Sequence, residues 1–373
     1  MISRKKNLAV FFTYGVSLIE WKRVGNLNRE LKPYIELSDE FSKIFLVTYG
    51  QSLSAERVGR LPENIFILCN KWKLPNLVYS FLVPFIYYRE LRSCSVLKTS
   101  QMNGSWAAVL TKIIHKNKLV IRCGYEWYDF AIRDKKSGWK KWLIKNIENF
   151  SYSFADSIII TSVSAKKFIE DVFKVDSSKV ELIPNYIDTN LFKPEVSSAV
   201  SGRIVFVGRF TTQKNIFALI DAVSQLEDVH LILIGSGELN GEITEYTSRL
   251  GDRVELLGNI PNENLPAELN KAEVFILPSL YEGNPKTLLE AMSCGKPCVG
   301  ANVEGISGLI NHLDNGFLSD VTTDSIRDTL SIALQDKHLS EKIGKKARDY
   351  ILDNHSFSSC IAKEKALYDK LYV

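Results

Sequence analysis

The chain has 373 residues, 45% of them hydrophobic and 24% charged, with a net charge of +4 at neutral pH. That length supports two domains with full cores, and that composition excludes a disordered or fibrous chain. The six cysteines, at 69, 94, 123, 294, 298 and 360, form no C-x-x-C pair and stand near no histidine cluster, which argues against a zinc site or a disulfide framework and fits a reducing cytosol.

Charge is unevenly spread along the chain. Residues 1–200 hold 30 Lys and Arg against 19 Asp and Glu, whereas residues 201–373 hold 17 against 24. The two halves therefore face different partners. A basic first half suits an anionic membrane surface or a phosphorylated acceptor, and no nucleic-acid partner is expected.

In chain order, Arg4-Lys5-Lys6 before Leu8-Ala9-Val10-Phe11-Phe12 has the start of a signal peptide, but the apolar run stops at Thr13 with no small-residue cleavage site after it. It reads as a first strand. Strand-like and helical runs then alternate: a helix near Trp21 to Phe41, strands at Ile44 to Thr48 and Ile65 to Cys69, a helical Leu77 to Leu91, a strand at Val96 to Thr99, a helix near Ser105 to His115 and a strand at Leu119 to Cys123. A helix near Trp139 to Ser153, the strand Ser157 to Thr161 and a helix near Ala165 to Phe173 complete the series. Such alternation predicts a parallel sheet covered by helices, with Gly15 in the first strand-to-helix loop, at the carboxyl edge where open sheets bind ligands. An ordinary turn explains Gly15 equally well.

Two segments of this half raise a membrane surface. Residues 134–153 combine Lys135, Lys136, Lys140, Lys141 and Lys145 with Trp139 and Trp142, and residues 77–88 add aliphatic and aromatic bulk. The same residues also fit a core face of Trp142, Leu143 and Ile147 with solvated lysines. Both readings stand at this point. The run Leu77 to Tyr88 is too short to span a bilayer.

Pro184 to Pro194 closes the first domain, 1–194, and the polar stretch Glu195 to Gly202 is the expected linker. In the second domain, 203–355, the strand Arg203 to Val207 runs into Gly208-Arg209-Phe210-Thr211-Thr212-Gln213-Lys214-Asn215 and a helix. Arg209 and Lys214 are placed to clamp a diphosphate at that helix start, or else are plain surface charges. A strand His230 to Ile234 precedes Gly235-Ser236-Gly237, too little for a dinucleotide fingerprint. Further on, the strand Val274 to Leu277 leads through Pro278-Ser279 to Asn284 as N-cap, Pro285 at the first helical position, and a helix to Cys294. Its amides and dipole suit a phosphate, with Glu282 and Glu290 placed to accept from sugar hydroxyls. The bland alternative makes Glu282 a cap and puts Glu290 on a solvated face. Residues 356–373 form a last helix.

Taken together, Gly208-Arg209-x4-Lys214-Asn215, Gly235-x-Gly237, Pro278-Ser279-x2-Glu282-Gly283 and the Glu282-x7-Glu290 pair resemble, in order from Arg203 to beyond Glu304, the retaining nucleotide-sugar glycosyltransferases of family 4. The resemblance implies the GT-B arrangement: α/β, two Rossmann-like domains facing across a cleft, acceptor on the first and donor on the second, with the C-terminal helix returning to the first. It implies that Arg209 and Lys214 hold the donor pyrophosphate, that Glu290 binds the ribose and Glu282 the transferred sugar. Backbone groups around Gly208, Gly237, Gly283, Asn284, Thr287 and Leu288 would meet the donor, and Gly15 would let the first-domain loop approach it. The donor is a nucleoside-diphosphate sugar; no cofactor and no metal are implied, and the chain has no D-x-D pair.

One departure stands out. Many relatives carry a histidine after the fifth strand of the first domain, where this chain reads Arg122-Cys123-Gly124-Tyr125-Glu126-Trp127, so either Tyr125 or Glu126 takes over that acceptor-side contact or this subgroup works without it. The function implied is transfer of a hexose or N-acetylhexosamine to a polyisoprenoid-linked or polysaccharide acceptor in cell-envelope glycan synthesis, such as lipopolysaccharide, in the cytoplasm at the membrane's inner face. A sugar-nucleotide epimerase of similar fold, or a non-catalytic partner that binds sugar nucleotide, are the alternatives.

Overall fold

The computed structural model describes residues 6–51, 61–195 and 199–372, so Arg4, Lys5 and residues 196–198 of the expected linker lie outside the described residues. The chain forms two compact units, Met1–Ile183 with Ile361–Val373, and Pro184–Cys360. The segment from Pro184 to Pro194 thus belongs to the second unit. Ile187 and Phe192 join that unit's core, and the Arg348 guanidinium donates to the carbonyls of Thr189 and Phe192.

The first unit holds β1 (Asn7–Phe11), β2 (Lys43–Val47), β3 (Ile65–Leu68), β4 (Cys94–Thr99), β5 (Lys118–Cys123), β6 (Ser157–Ile160) and β7 (Val180–Leu182), in the order β3-β2-β1-β4-β5-β6-β7. Every pairing is parallel. Each strand therefore needs a crossover, and helices cover both faces. Ala9, Phe11, Leu97, Leu119, Ile121 and Ile158 face one layer, made by the helices Asn76–Ile86, Ser105–His115, Gly138–Phe154 and Val163–Phe173. On the other face, Lys98, one residue on from Leu97, meets Glu364 of the terminal helix Phe357–Tyr372. That pair is buried, with the Lys98 ammonium also 5.5 Å from the centre of the Tyr34 ring and the Tyr368 hydroxyl donating to the same carboxylate at 2.6 Å.

Two local expectations are corrected. The single helix from Trp21 to Phe41 is two, Leu18–Arg23 and Leu27–Leu37, because Gly25 sits at φ +72° and turns the chain between them. The helix Gly138–Phe154 buries Ile144, Glu148, Ser151 and Tyr152, not Trp142 and Leu143, which are exposed. The core reading of those two residues is thereby set aside. Among the described residues no helix is long and apolar enough to cross a membrane.

The second unit holds β8 (Arg203–Val207), β9 (His230–Ile234), β10 (Val254–Gly258), β11 (Val274–Leu277), β12 (Cys298–Ala301) and β13 (Phe317–Ser319), again all parallel, in the order β10-β9-β8-β11-β12-β13. Strand order reverses between β8 and β11. Chains leaving adjacent carboxyl ends there diverge to opposite faces, which opens the crevice that such sheets use for ligands.

Candidate active site

The loops after β8 and β11 are stitched together. The Leu280 amide donates to the Gln213 carbonyl at 2.8 Å, Gln213 Nε2 donates to the Tyr281 carbonyl at 2.8 Å, and Asn215 Nδ2 donates to the Pro278 carbonyl at 3.3 Å. Asn215 adopts φ +55° and starts the helix Ile216–Ser224, which ends the tight turn Thr212–Lys214. This places Lys214 against Glu282, and the two form an ion pair with both side chains largely buried. The Arg209 side chain in the same loop is exposed, with no hydrogen bond or ion pair among the described residues.

Gly237 has a packing reason. A Cβ at that position would lie 2.3 Å from the Phe210 carbonyl oxygen, so only glycine lets the loop after β9 pack on the loop that carries Gly208 and Arg209.

The helix after β11 runs Lys286–Ser293. Pro285 stands at its N-cap, where Asn284 was expected; the Asn284 side chain makes no cap bond, and its backbone carbonyl accepts from Asn185 Nδ2 at 2.7 Å. The Thr287 and Leu288 amides lie in the first turn, before any internal acceptor is available to them. Glu282 is not a cap, and Glu290 is not on a solvated face. Glu290 is 1% exposed and accepts from Asn262 Nδ2 at 2.9 Å. The same two loops bury three oxygens that have no hydrogen-bond partner among the described residues: Thr211 Oγ1, Ser279 Oγ and Asn284 Oδ1. Buried polar atoms of this kind are rare, and their place in the two loops that carry Lys214 and lead into the helix start suits a ligand rich in hydroxyl and phosphate oxygens. Sequence reasoning missed Gln213, which lies next to Lys214 in the loop after β8, and Asn262 and Asn185, which position the site from other loops; nothing in their local pattern marks them.

In the first unit, Gly15 stands at φ +76° in the loop after β1, where the Tyr14 amide donates to the Asn103 carbonyl at 3.0 Å. At the end of β5, the Gly124 amide donates to Gln101 Oε1 at 2.9 Å, and Thr161 Oγ1 donates to the Gly124 carbonyl at 3.2 Å. The Tyr125 ring packs 5.3 Å from Phe130, and Glu126 is buried. Three of the five histidines are bonded elsewhere: His115 to the Pro84 carbonyl, His355 to the Asn185 carbonyl, and His312 accepting from the Leu318 amide. Behind Glu126, the fully buried Glu148 accepts from the Trp127 and Tyr128 amides at 2.9 and 3.2 Å.

Burial pushes the Glu148 carboxyl up from 4.5 to about 8, against the pull of those two amides. Because the folded value lies above the unfolded one, its contribution to stability is complete below about pH 4.5 and is lost as pH rises through about 8. The wild-type urea midpoint is therefore expected to fall relative to that of Glu148→Gln between about pH 5 and about pH 8.5. A difference that stays constant across that range would contradict a buried, proton-holding Glu148.

Two family models tile the chain: "Glycosyltransferase Family 4" over residues 43–191 and "Glycosyl transferases group 1" over residues 189–350. The chain belongs to glycosyltransferase family 4. This glycosyltransferase is 28% identical, over 267 residues, to the UDP-Gal:alpha-D-GlcNAc-diphosphoundecaprenol alpha-1,3-galactosyltransferase of Escherichia coli, a match that covers 66% of this chain and 68% of the relative. Matches to three further relatives span 62%, 58% and 60% of their lengths. Its fold superposes on sucrose-phosphate synthase of Thermosynechococcus elongatus with a TM-score of 0.79 at 18% identity, covering 99% of each chain. HepE of Anabaena, solved with UDP and glucose, gives 0.77 at 18% identity over 97% of this chain and 99% of its own. The fold of this glycosyltransferase is accordingly GT-B, two parallel-sheet α/β domains flanked by helices.

Proposed function

We propose that this glycosyltransferase moves a hexose or N-acetylhexosamine from a nucleoside-diphosphate sugar to a polyisoprenoid-linked or polysaccharide acceptor in the cytoplasm, during cell-envelope glycan synthesis, with retention of anomeric configuration. The observation that carries the reading is the gathering of Arg209, the Lys214–Glu282 pair and the start of helix Lys286–Ser293 where strand order reverses in the second unit. The UDP held by HepE and the lipid-diphosphate acceptor named for the E. coli relative support the two substrate classes.

In this scheme the bond from the sugar's anomeric carbon to the leaving phosphate oxygen breaks. The acceptor hydroxyl oxygen bonds to that carbon on the same face, and its proton passes to the departing phosphate. The leaving diphosphate gains negative charge as it departs. Arg209, Lys214 and the helix dipole stabilise it in this scheme, which calls on no metal. Lys214 exchanges Glu282 for phosphate when donor binds, and Glu282 turns to the sugar hydroxyls. Glu290, held by Asn262, reads the ribose, Gly15 lets the loop after the first strand approach the donor, and Tyr125 and Glu126 serve the acceptor side.

The test is a product assay by NMR with donor and a polyisoprenoid-diphosphate sugar acceptor. A new glycosidic bond with the donor's anomeric configuration is expected, and the inverted anomer would overturn retention. With donor alone, an isomerised sugar nucleotide would point to an epimerase instead.

A further inference from the structure

The first unit carries an unpartnered apolar face. In helix Asn76–Ile86, Leu77, Val78, Phe81, Leu82 and Phe85 are all exposed, Phe85 by 61%, while Tyr79, Ser80 and Val83 on the opposite side are buried. Their spacing puts all five on one outward stripe. Helix Gly138–Phe154 repeats the pattern: Trp139, Trp142, Leu143 and Phe150 form an outward stripe, Trp142 being 67% exposed. Both helices belong to one layer, tied through the helix between them, Ser105–His115. Trp106 Nε1 donates to Ser80 Oγ at 2.9 Å, and the Ser105 and Ser151 hydroxyls are 2.6 Å apart.

Charge says what covers this face. Residues 71–154 contain fifteen Lys and Arg against five Asp and Glu, and Lys135, Lys140, Lys141 and Lys145 have no acidic partner among the described residues. A second copy of the chain would present the same basic rim, so like charges would meet across a symmetric contact. An apolar stripe with tryptophans on a lysine-rich helix, with Lys140 next to Trp139 and Lys145 Nζ 5.5 Å from the Tyr128 ring, matches instead the boundary between the headgroups and acyl chains of an anionic bilayer.

We propose that the outward stripes of helices Asn76–Ile86 and Gly138–Phe154 dock this glycosyltransferase flat on an anionic membrane surface, the apolar side chains entering the headgroup boundary and the lysines contacting lipid phosphates. The inference goes beyond the transfer reading and draws on it only for the lipid-linked acceptor that such docking would bring within reach.

The test is co-sedimentation of the full chain with vesicles of equal parts phosphatidylglycerol and phosphatidylcholine, without donor or acceptor, so that its outcome is independent of catalysis. Binding is expected at low salt and is expected to vanish on pure phosphatidylcholine. Lys140→Gln with Lys141→Gln should weaken it about 25-fold, at roughly fivefold per lysine. Leu77→Ser, Phe81→Ser and Phe85→Ser together should abolish it while leaving circular dichroism and the thermal transition unchanged, since all three are exposed. No binding to the anionic vesicles would overturn the proposal. Equal binding by the triple variant would do so too, as would a concentration-dependent dimer that the triple variant abolishes.

Discussion

Replacing Lys214 with methionine is expected to lower kcat/KM by about 10²–10³-fold, the typical loss when one preorganised donor to a developing anion is removed. The same change should destabilise the second unit by about 3–5 kcal/mol, because it leaves the Glu282 carboxylate buried without its counter-charge. Two further variants separate these effects. Arg209→Ala should lose activity on the same scale with stability within about 0.5 kcal/mol of wild type, since its side chain is exposed and unbonded. The double variant Lys214→Met/Glu282→Gln removes both charges, so it should regain most of the stability and none of the turnover. Steady-state kinetics and urea unfolding of the four proteins decide the matter. Full transfer by Lys214→Met or by Arg209→Ala would remove that residue from the donor site.

Lys98→Met is the second large effect, and it concerns folding. The Lys98–Glu364 pair joins β4 to the terminal helix in the core of the first unit, so removing the cation strands a buried carboxylate and should destabilise that unit by about 3–5 kcal/mol. Hydrogen exchange along Phe357–Tyr372 should quicken first, because those amides lose their anchor to the sheet. Burial alone would raise the Glu364 carboxyl; the Lys98 charge and the bonds from Lys98 and Tyr368 outweigh it and hold the carboxyl below 4.5. A depressed folded value means that this contribution is present above the unfolded value and is lost as pH falls through the folded one. Wild type should therefore lose stability in acid more steeply than Lys98→Met. Equal acid sensitivity would mean that the pair adds nothing.

The strands of both sheets were legible because a strand covered on both faces reads as a short apolar run, as Val274 to Leu277 and Ile158 to Ile160 do. The edge strands β7 and β13 were not, since each spans three residues and exposes part of itself. The chemistry of the site was partly legible. Glu282, Glu290, Arg209 and Lys214 are marked by residue type and by spacing within single loops and one helix. Their partners were not legible: Asn262 bonds Glu290 from 28 residues away, Asn185 bonds the Asn284 carbonyl from 99 away, and Lys214 meets Glu282 across 68.

Residue order by itself determined the two-domain α/β class, the alternating elements, the glycine-bearing loops and the family to which the site motif belongs. Periodicity, turn chemistry and helix starts act over a few residues, so a sequence displays them directly. The tertiary structure alone decided that Glu290 is buried, that Lys214 and Glu282 are bound to each other, and that Trp139 and Trp142 face outward. Those outcomes depend on which strands lie side by side, and parallel neighbours are joined by whole crossover helices, so the residues they bring together carry no short-range trace of one another.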